Sequence, residues 1–145
     1  MTAAILPFLF ILTSALAPPA AVPADVTLDR EFELRSGRSV RIEGERLTVT
    51  FNRVVEDSRC PQGVQCVWAG NAKVMLRLSK ARRRASTMSL NTGLDPKQAA
   101  YRGYEVRLVK LDPYPKEGKT IRKRDYVATL VVSRAGSGGA DNLIQ

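Results

Sequence analysis

The chain of 145 residues contains no histidine, only two cysteines and a single tryptophan. Histidine is the usual general base of Ser-His-Asp and Cys-His hydrolases, so neither triad can be assembled from this chain alone. A structural zinc site normally takes four Cys or His ligands, and two thiolates fall short of that number. No glycine-rich segment leads from a strand into a helix to hold phosphates. These absences predict a protein that is not an enzyme, with no catalytic residues, no metal site and no cofactor.

Adjacent carboxylates at Glu56 and Asp57 leave weaker alternatives open. Neighbours on a strand point to opposite faces of the sheet, so these two carboxylates cannot readily flank one glycosidic bond. We interpret them as a solvated turn entry or as partners for Arg59. A calcium site that includes Asn71 is an alternative, although the regular acidic spacing of a dedicated calcium loop is missing. An enzyme that uses carboxylates or tyrosines is a further alternative hypothesis.

Long hydrophobic runs are also lacking. A transmembrane helix needs about 20 apolar residues, whereas residues 1–24, MTAAILPFLFILTSALAPPAAVPA, hold a shorter apolar stretch that prolines interrupt. Such a stretch followed by small residues is typical of a secretory signal, although no Lys or Arg precedes it here; a buried helix is the alternative. We predict a signal peptide over 1–24, a β-sandwich domain over 25–135 and a flexible tail over 136–145. The exported chain would be secreted or periplasmic, without a transmembrane segment.

No window of the sequence has the period of an amphipathic helix long enough to cover a sheet. Apolar residues instead alternate with polar ones in short runs, such as residues 26–34, 47–51 and 72–78. The pattern predicts about seven to eight short strands in an all-β fold, either an immunoglobulin-like β-sandwich or a small barrel. We expect Ser36-Gly37 to close a hairpin between neighbouring strands, and 96–103 to allow one helical turn.

The chain is basic, with a formal net charge of +9, and all of its charged residues follow residue 24. Lys80, Arg82, Arg83 and Arg84 crowd one predicted hairpin tip, and 122–124 form a second basic cluster. Such runs often only increase solubility, but they also attract anionic surfaces such as lipid headgroups or acidic envelope glycans. Nucleic acid is not expected, because the tyrosines are separate in sequence from the first cluster and base stacking needs interleaved aromatics.

The segment 56–70, EDSRCPQGVQCVWAG, holds both cysteines and the tryptophan. An exported chain meets an oxidising compartment, so we predict a disulfide between Cys60 and Cys66 that staples a loop between two strands. A thioredoxin-type redox motif has two residues between its cysteines, whereas this pair has five. A closed loop of this size contributes roughly 2 to 2.5 kcal/mol in the chain-entropy model. We expect Trp68 to pack across the base of the staple.

The stretch 54–72, VVEDSRCPQGVQCVWAGNA, resembles a recurring signature of an uncharacterised family of small exported bacterial proteins. The later segments GYEVRLVKLDPYP and DYVATLVVS are similar to the closing strands of that family. The similarity covers most of the chain beyond the predicted signal peptide. It implies export and a β fold, and it implies no catalytic activity.

Two functional hypotheses follow from these features. The first is an exported, non-enzymatic β-domain of the cell envelope that binds a protein or an anionic component, or that adds a structural module. Its candidate contact residues are Arg59, Gln65, Trp68, Arg82, Arg83 and Arg84. The alternative is a secreted peptidase inhibitor, in which the rigid stapled loop presents Arg59 or nearby residues to a trypsin-like pocket.

Overall fold

The computed structural model of the protein describes residues 25–136. The predicted signal peptide and nearly all of the predicted tail lie outside these residues. The described part of the chain forms nine strands and one short 3₁₀ turn at Lys123–Asp125, and none of its helices could cross a membrane. The strands are β1 (Asp25–Val26), β2 (Glu31–Arg35), β3 (Ser39–Ile42), β4 (Leu47–Asp57), β5 (Ala72–Lys80), β6 (Ser86–Asn91), β7 (Gln98–Tyr101), β8 (Tyr104–Asp112) and β9 (Val127–Arg134).

These strands form two sheets, one of five strands in the order β1-β3-β4-β5-β6 and one of four in the order β2-β9-β8-β7. Strand pairs are antiparallel except for β1 and β3, which run parallel. Every second side chain points inward, and the inward rows of both sheets join in one apolar core. The predicted all-β sandwich is confirmed, with nine strands in place of seven or eight; the immunoglobulin-like arrangement stays a prediction.

The first strand-like run, 26–34, is divided between the two sheets, near Arg30, where the alternation of apolar residues is interrupted. Val26 lies in the five-stranded sheet, whereas Phe32 lies in the four-stranded sheet. Asp29 lies in the turn between them with a left-handed φ of 60°, and its backbone N–H donates to the Val132 carbonyl at 2.9 Å.

The predicted hairpin at Ser36-Gly37 is also wrong, because β2 pairs with β9 and β3 pairs with β4. Gly37 adopts a φ of 80°, and its N–H donates to the Phe51 carbonyl at 2.6 Å. The turn therefore carries the chain from one sheet to the other.

Residues 96–103 form no helical turn; they include β7 and the tight turn into β8. Arg102 and Gly103 both have positive φ, 48° and 84°, as a two-residue hairpin turn that matches the strand twist requires. The other predicted hairpin tip, 81–85, is confirmed, since β5 and β6 pair with Leu78 opposite Ser86.

The antiparallel registers place the connecting loops at two ends of the sandwich. We call one end the stapled end, because it holds the disulfide-containing loop 58–71 together with the loops 92–97 and 113–126. We call the opposite end the basic end, because it holds the arginine-rich turn 81–85 beside the turn at 102–103. Strand β4 runs from one end to the other.

Candidate functional site

The predicted disulfide is present at the stapled end. Cys60 and Cys66 are bonded, with their Cα atoms 5.9 Å apart. The loop continues the β4–β5 pairing beyond the strands, because the Ser58 N–H donates to the Asn71 carbonyl at 2.7 Å and the Cys60 N–H to the Ala69 carbonyl at 2.9 Å. The disulfide thus closes the tip of a loop whose base is already held together by backbone hydrogen bonds.

Arg59 lies beneath this staple, with only 6% of its side chain exposed. Its guanidinium donates to both carboxylate oxygens of Asp57, at 2.8 and 2.7 Å. It also donates to the Leu111 carbonyl at 2.6 Å, in β8 of the opposite sheet, and to the Pro113 carbonyl at 3.0 Å, in the loop that follows β8. The Tyr114 ring lies 5.0 Å from the guanidinium carbon. Arg59 therefore joins the two sheets and is not presented to a trypsin-like pocket, which corrects that interpretation.

Asp57 is held by a second partner, because the Tyr126 hydroxyl donates to its Oδ2 at 3.0 Å. Burial raises the pKa of the Asp57 carboxyl, but the hydrogen bonds and charge of Arg59, with help from Tyr126, outweigh it and hold the pKa below its ordinary value. Burial and the bond to Asp57 raise the pKa of Tyr126 to about 12. Of the two interpretations of Asp57, a partner for Arg59 is confirmed and a solvated turn entry is wrong.

Glycines allow close approaches within the stapled loop and between it and a neighbouring loop. Gly70 has a φ of 74°, and a Cβ there would lie 1.9 Å from the Ser58 carbonyl oxygen. A Cβ on Gly93, in the neighbouring loop, would lie 2.6 Å from the Gly70 carbonyl oxygen. Asn71 adds side-chain bonds to Asn91 and to the Gly93 N–H, at 2.9 and 3.0 Å. The backbone around the loop base is therefore tightly packed.

The tip of the stapled loop is apolar and exposed. Val67 is 91% exposed and Trp68 is 82% exposed, and Val64 and Gln65 on the same tip are exposed as well. The expectation that Trp68 packs across the loop base is wrong, because its side chain projects into solvent. No charged side chain occurs between Pro61 and Ala69. We call Val64, Gln65, Val67 and Trp68 the stapled tip.

A shallow recess lies beside the stapled tip. Three segments enclose it: the loop base at Ala69 and Gly70, the neighbouring loop at Thr92 and Gly93, and the end of β8 with Tyr114. Val109, Leu111 and Tyr114 supply apolar lining, and Lys110 and Arg59 supply polar lining. A projecting aromatic side chain next to a recess offers shape complementarity to a partner.

The sequence-derived candidate residues divide into two groups. Arg59, Gln65 and Trp68 belong to the stapled end, with Arg59 buried and the other two exposed. Arg82, Arg83 and Arg84 are exposed at the basic end, so the structure does not bring them together with the first group.

Sequence reasoning missed that Tyr101 and Tyr104 contact the basic turn. The Tyr101 hydroxyl donates to the Arg84 carbonyl at 3.2 Å, and Lys80 Nζ donates to the Tyr104 hydroxyl at 2.9 Å. These contacts join elements far apart in sequence, and no local pattern indicates them.

Within residues 25–136 no three His, Cys, Asp or Glu side chains cluster as a metal site would require. Comparisons with known proteins add no assignment. No protein-family model matches the chain. No curated protein matches it, and no solved structure matches it.

The buried pair predicts a specific pH dependence. Asp57→Asn leaves the Arg59 charge buried without its counter-charge, so the free energy of unfolding should fall by about 3 kcal/mol at pH 7. The pKa of Asp57 is lower in the folded state than in the unfolded state, where it is about 3.9. The stability that the Asp57 carboxylate contributes is therefore fully present above the unfolded-state pKa and is lost as the pH falls through the folded-state pKa. Urea unfolding should show that the difference in unfolding free energy between Asp57→Asn and the unmodified protein is smaller at pH 3 than at pH 7.

Asp112→Asn is the matched control for this measurement. Asp112 pairs with Lys110 at 2.7 Å on the surface, where the two side chains are 41% and 59% exposed. An exposed pair contributes about 0 to 1 kcal/mol, so this variant should remain close to the unmodified protein at both pH values. Equal losses in the two variants would contradict the structural role given to Asp57.

The close approach at Gly70 gives a second stability prediction. Gly70→Ala adds a methyl group into the Ser58 backbone at a left-handed φ, so strain and overpacking together should cost about 3 kcal/mol. Gly103→Ala is the control, since its φ of 84° carries the same conformational penalty but a Cβ there would meet nothing within 4 Å. It should cost only about 1 to 2 kcal/mol. If urea titration gave Gly70→Ala and Gly103→Ala equal unfolding free energies, the loop base would have accommodated the added methyl group without a further loss of stability.

Proposed function

We propose that the protein is an exported, non-enzymatic β-domain of the bacterial cell envelope that binds another protein through the stapled tip. The observation that carries this proposal is the exposure of Val67 and Trp68 on a loop closed by a disulfide. Large exposed apolar side chains on a rigid element mark interaction sites more often than scattered surface residues do.

The energetics of the stapled tip favour binding. A buried Trp is among the commonest interface anchors, because it removes a large apolar area from water. The disulfide and the Arg59 bonds fix the loop beforehand, so less conformational entropy is lost when a partner binds. The recess beside the tip can accept a side chain of the partner in return.

A protein partner fits the stapled tip itself better than a lipid bilayer does, although the loop 113–126 at the same end carries the basic cluster 122–124. Loops that insert into anionic bilayers combine apolar side chains with Lys or Arg, whereas residues 61–69 carry no charge. A recess adjoining the projecting Trp68 provides shape complementarity, which a fluid bilayer cannot use. Export is supported by the disulfide, which persists in oxidising compartments, by the apolar segment 1–24 and by the resemblance of residues 54–72 to exported bacterial proteins.

The binding proposal is tested first in intact bacteria. A photo-crosslinking amino acid replaces the exposed Gln65, which lies beside the anchors but is not one of them. We expect a specific crosslinked envelope protein, whereas the same amino acid at the exposed Thr87 on β6 should not yield it. The partner is then purified, and its affinity for the unmodified protein and its variants is measured by calorimetry.

Val67→Ser should weaken this affinity at least about tenfold, and Trp68→Ala should weaken it further, since anchors typically contribute 2 kcal/mol or more. Val55→Ser is a matched control, because Val55 is an exposed valine, 47% accessible, on β4 and away from the tip. Unchanged affinity in Trp68→Ala would contradict the proposal. Tight binding to neutral lipid vesicles that needs Trp68 would assign the stapled tip to membranes instead.

A peptidase inhibitor is the second candidate, and exposure of Trp68 on a stapled loop favours a changed version of it. The buried Arg59 cannot enter a trypsin-like pocket, whereas Trp68 has the aromatic shape that a chymotrypsin-like pocket accepts. We expect inhibition of chymotrypsin-like and not trypsin-like enzymes, and loss of that inhibition in Trp68→Ala. Steady-state assays with micromolar protein measure both, and absence of inhibition of either class would exclude this candidate.

A further inference from the structure

A second candidate site lies at the basic end, in a cleft between two hairpin turns that belong to different sheets. The turn 81–85 joins β5 and β6 of one sheet, and the turn 102–103 joins β7 and β8 of the other. Lys80, Ala81, Arg83 and Arg102 line the cleft. Three cationic side chains from two distant parts of the sequence therefore surround one space, and no carboxylate lines it.

Two buried tyrosines hold these turns side by side. Tyr101 is bonded to the Arg84 backbone across the gap between the sheets, and Tyr104 accepts the bond from Lys80. The Lys80 ammonium lies 4.4 Å from the centre of the Tyr104 ring, and the Arg102 guanidinium carbon lies 5.6 Å from that of Tyr101. Contacts with aromatic rings order long cationic side chains, so less side-chain conformational entropy is lost when a ligand binds.

The backbone of the cleft is fixed as well. Ala81 and Arg102 both adopt a left-handed φ of 48°, which non-glycine residues take up at some cost in energy. The Ala81 N–H donates to the Arg46 carbonyl at 3.0 Å, and the Arg83 N–H to the Lys80 carbonyl at 2.9 Å. The turn that carries the arginines is therefore a defined structure and not a loose charged loop.

Glu45 is bonded to Tyr104 beside the cleft and is not part of the cleft lining. Hydrogen bonds from Tyr104 and Arg134 hold the pKa of its carboxyl below the ordinary value, and the charge of Lys80 makes a smaller contribution. Glu45 therefore offsets part of the Lys80 charge. Within residues 25–136 neither Arg83 nor Arg102 forms a salt bridge. The cations of the cleft repel one another in the absence of a ligand, and an anion would relieve that repulsion.

We propose that this cleft binds a phosphate group carried by an anionic envelope component. Arginine guanidinium groups pair with phosphate oxygens through two parallel hydrogen bonds, and the lysine ammonium adds a point charge. Arg82 and Arg84 flank the cleft on the same turn and extend the positive surface to neighbouring phosphates. The site is separate from the stapled tip and does not depend on the function proposed for it.

The cleft is not suited to single-stranded nucleic acid. Proteins that bind single strands stack bases on exposed aromatic rings. Tyr101 and Tyr104 are only 6% and 4% exposed, so their rings offer no stacking face. A phosphate can come from a lipid headgroup or from a soluble phosphorylated polymer, and the experiment distinguishes these two sources.

The test uses the oxidised full chain in low-salt buffer and two probes. Inorganic tripolyphosphate represents the soluble source, measured by calorimetry. Vesicles of phosphatidylglycerol in phosphatidylcholine represent the lipid source, measured by co-sedimentation, with pure phosphatidylcholine as the blank. The double variant Arg83→Gln with Arg102→Gln should bind at least about tenfold more weakly than the unmodified protein to whichever probe binds. Binding to tripolyphosphate would indicate a soluble source of the phosphate, and binding to the phosphatidylglycerol vesicles would indicate a lipid source.

The double variant Lys123→Gln with Arg124→Gln is the matched control, since it removes the same charge from exposed positions at the stapled end. It should lose less than about threefold, because general electrostatic attraction is weak and screened at that distance. Urea unfolding should show equal stability for both double variants. Equal losses of affinity in the two variants, or no binding of either probe, would overturn the proposal. Tighter binding to a single-stranded oligonucleotide than to either probe would also overturn it.

Discussion

The bidentate bond between Arg59 and Asp57 is the interaction on which the geometry of the stapled end depends. Both side chains are nearly buried. The guanidinium also donates to the backbone carbonyl of Leu111, in the opposite sheet, and to that of Pro113, in the loop that follows. Breaking a buried charge pair costs about 3 to 5 kcal/mol, whereas a disulfide in a loop this short contributes roughly 2 to 2.5 kcal/mol. Removal of one partner of the ion pair should therefore destabilise the protein more than loss of the disulfide does. The disulfide acts on the tip beyond the ion pair.

This division explains why the tip can be apolar and exposed. A loop usually buries its large side chains to remain folded, but here Arg59 and the close approach at Gly70 already fix the base. Val67 and Trp68 are then not needed for stability and can project into solvent. Preorganisation and exposure together are what a binding loop requires, since rigidity lowers the entropic cost of association.

The sequence predicts those features of this protein that depend on local periodicity and on residue chemistry. Alternation of apolar residues identifies most strands and the all-β class, because a half-buried strand must show a period of two. The pairing of Cys60 with Cys66 follows from their being the chain's two cysteines. Periodicity says which side chains face inward, but not which sheet a strand joins. The partners of β2 and β3, and the change of sheet at Gly37, are therefore visible only in three dimensions.

The sequence-based expectations for the burial of Arg59 and Trp68 are wrong for a common reason. Statistically a tryptophan is more often buried than an arginine, so composition alone assigns Trp68 to the interior and Arg59 to the surface. The order is reversed because Asp57, two residues before Arg59, supplies a counter-charge, and Leu111 and Pro113 supply carbonyls from more than 50 residues further along the chain. Contacts at that separation leave no local pattern. The grouping of Tyr101 and Tyr104 with the basic turn is hidden for the same reason.

The length of β4 determines how the two ends can act. Its 11 residues, at about 3.3 Å per residue, separate the ends by roughly 30 Å or more. Charges are screened over about 8 Å at physiological ionic strength, so the cations of the basic end have little influence on the uncharged stapled tip. A ligand at one end and a partner at the other can therefore bind at the same time without repelling or assisting each other. The two proposed sites, one for a protein and one for a phosphate-bearing component, would therefore allow the sandwich to link the two ligands.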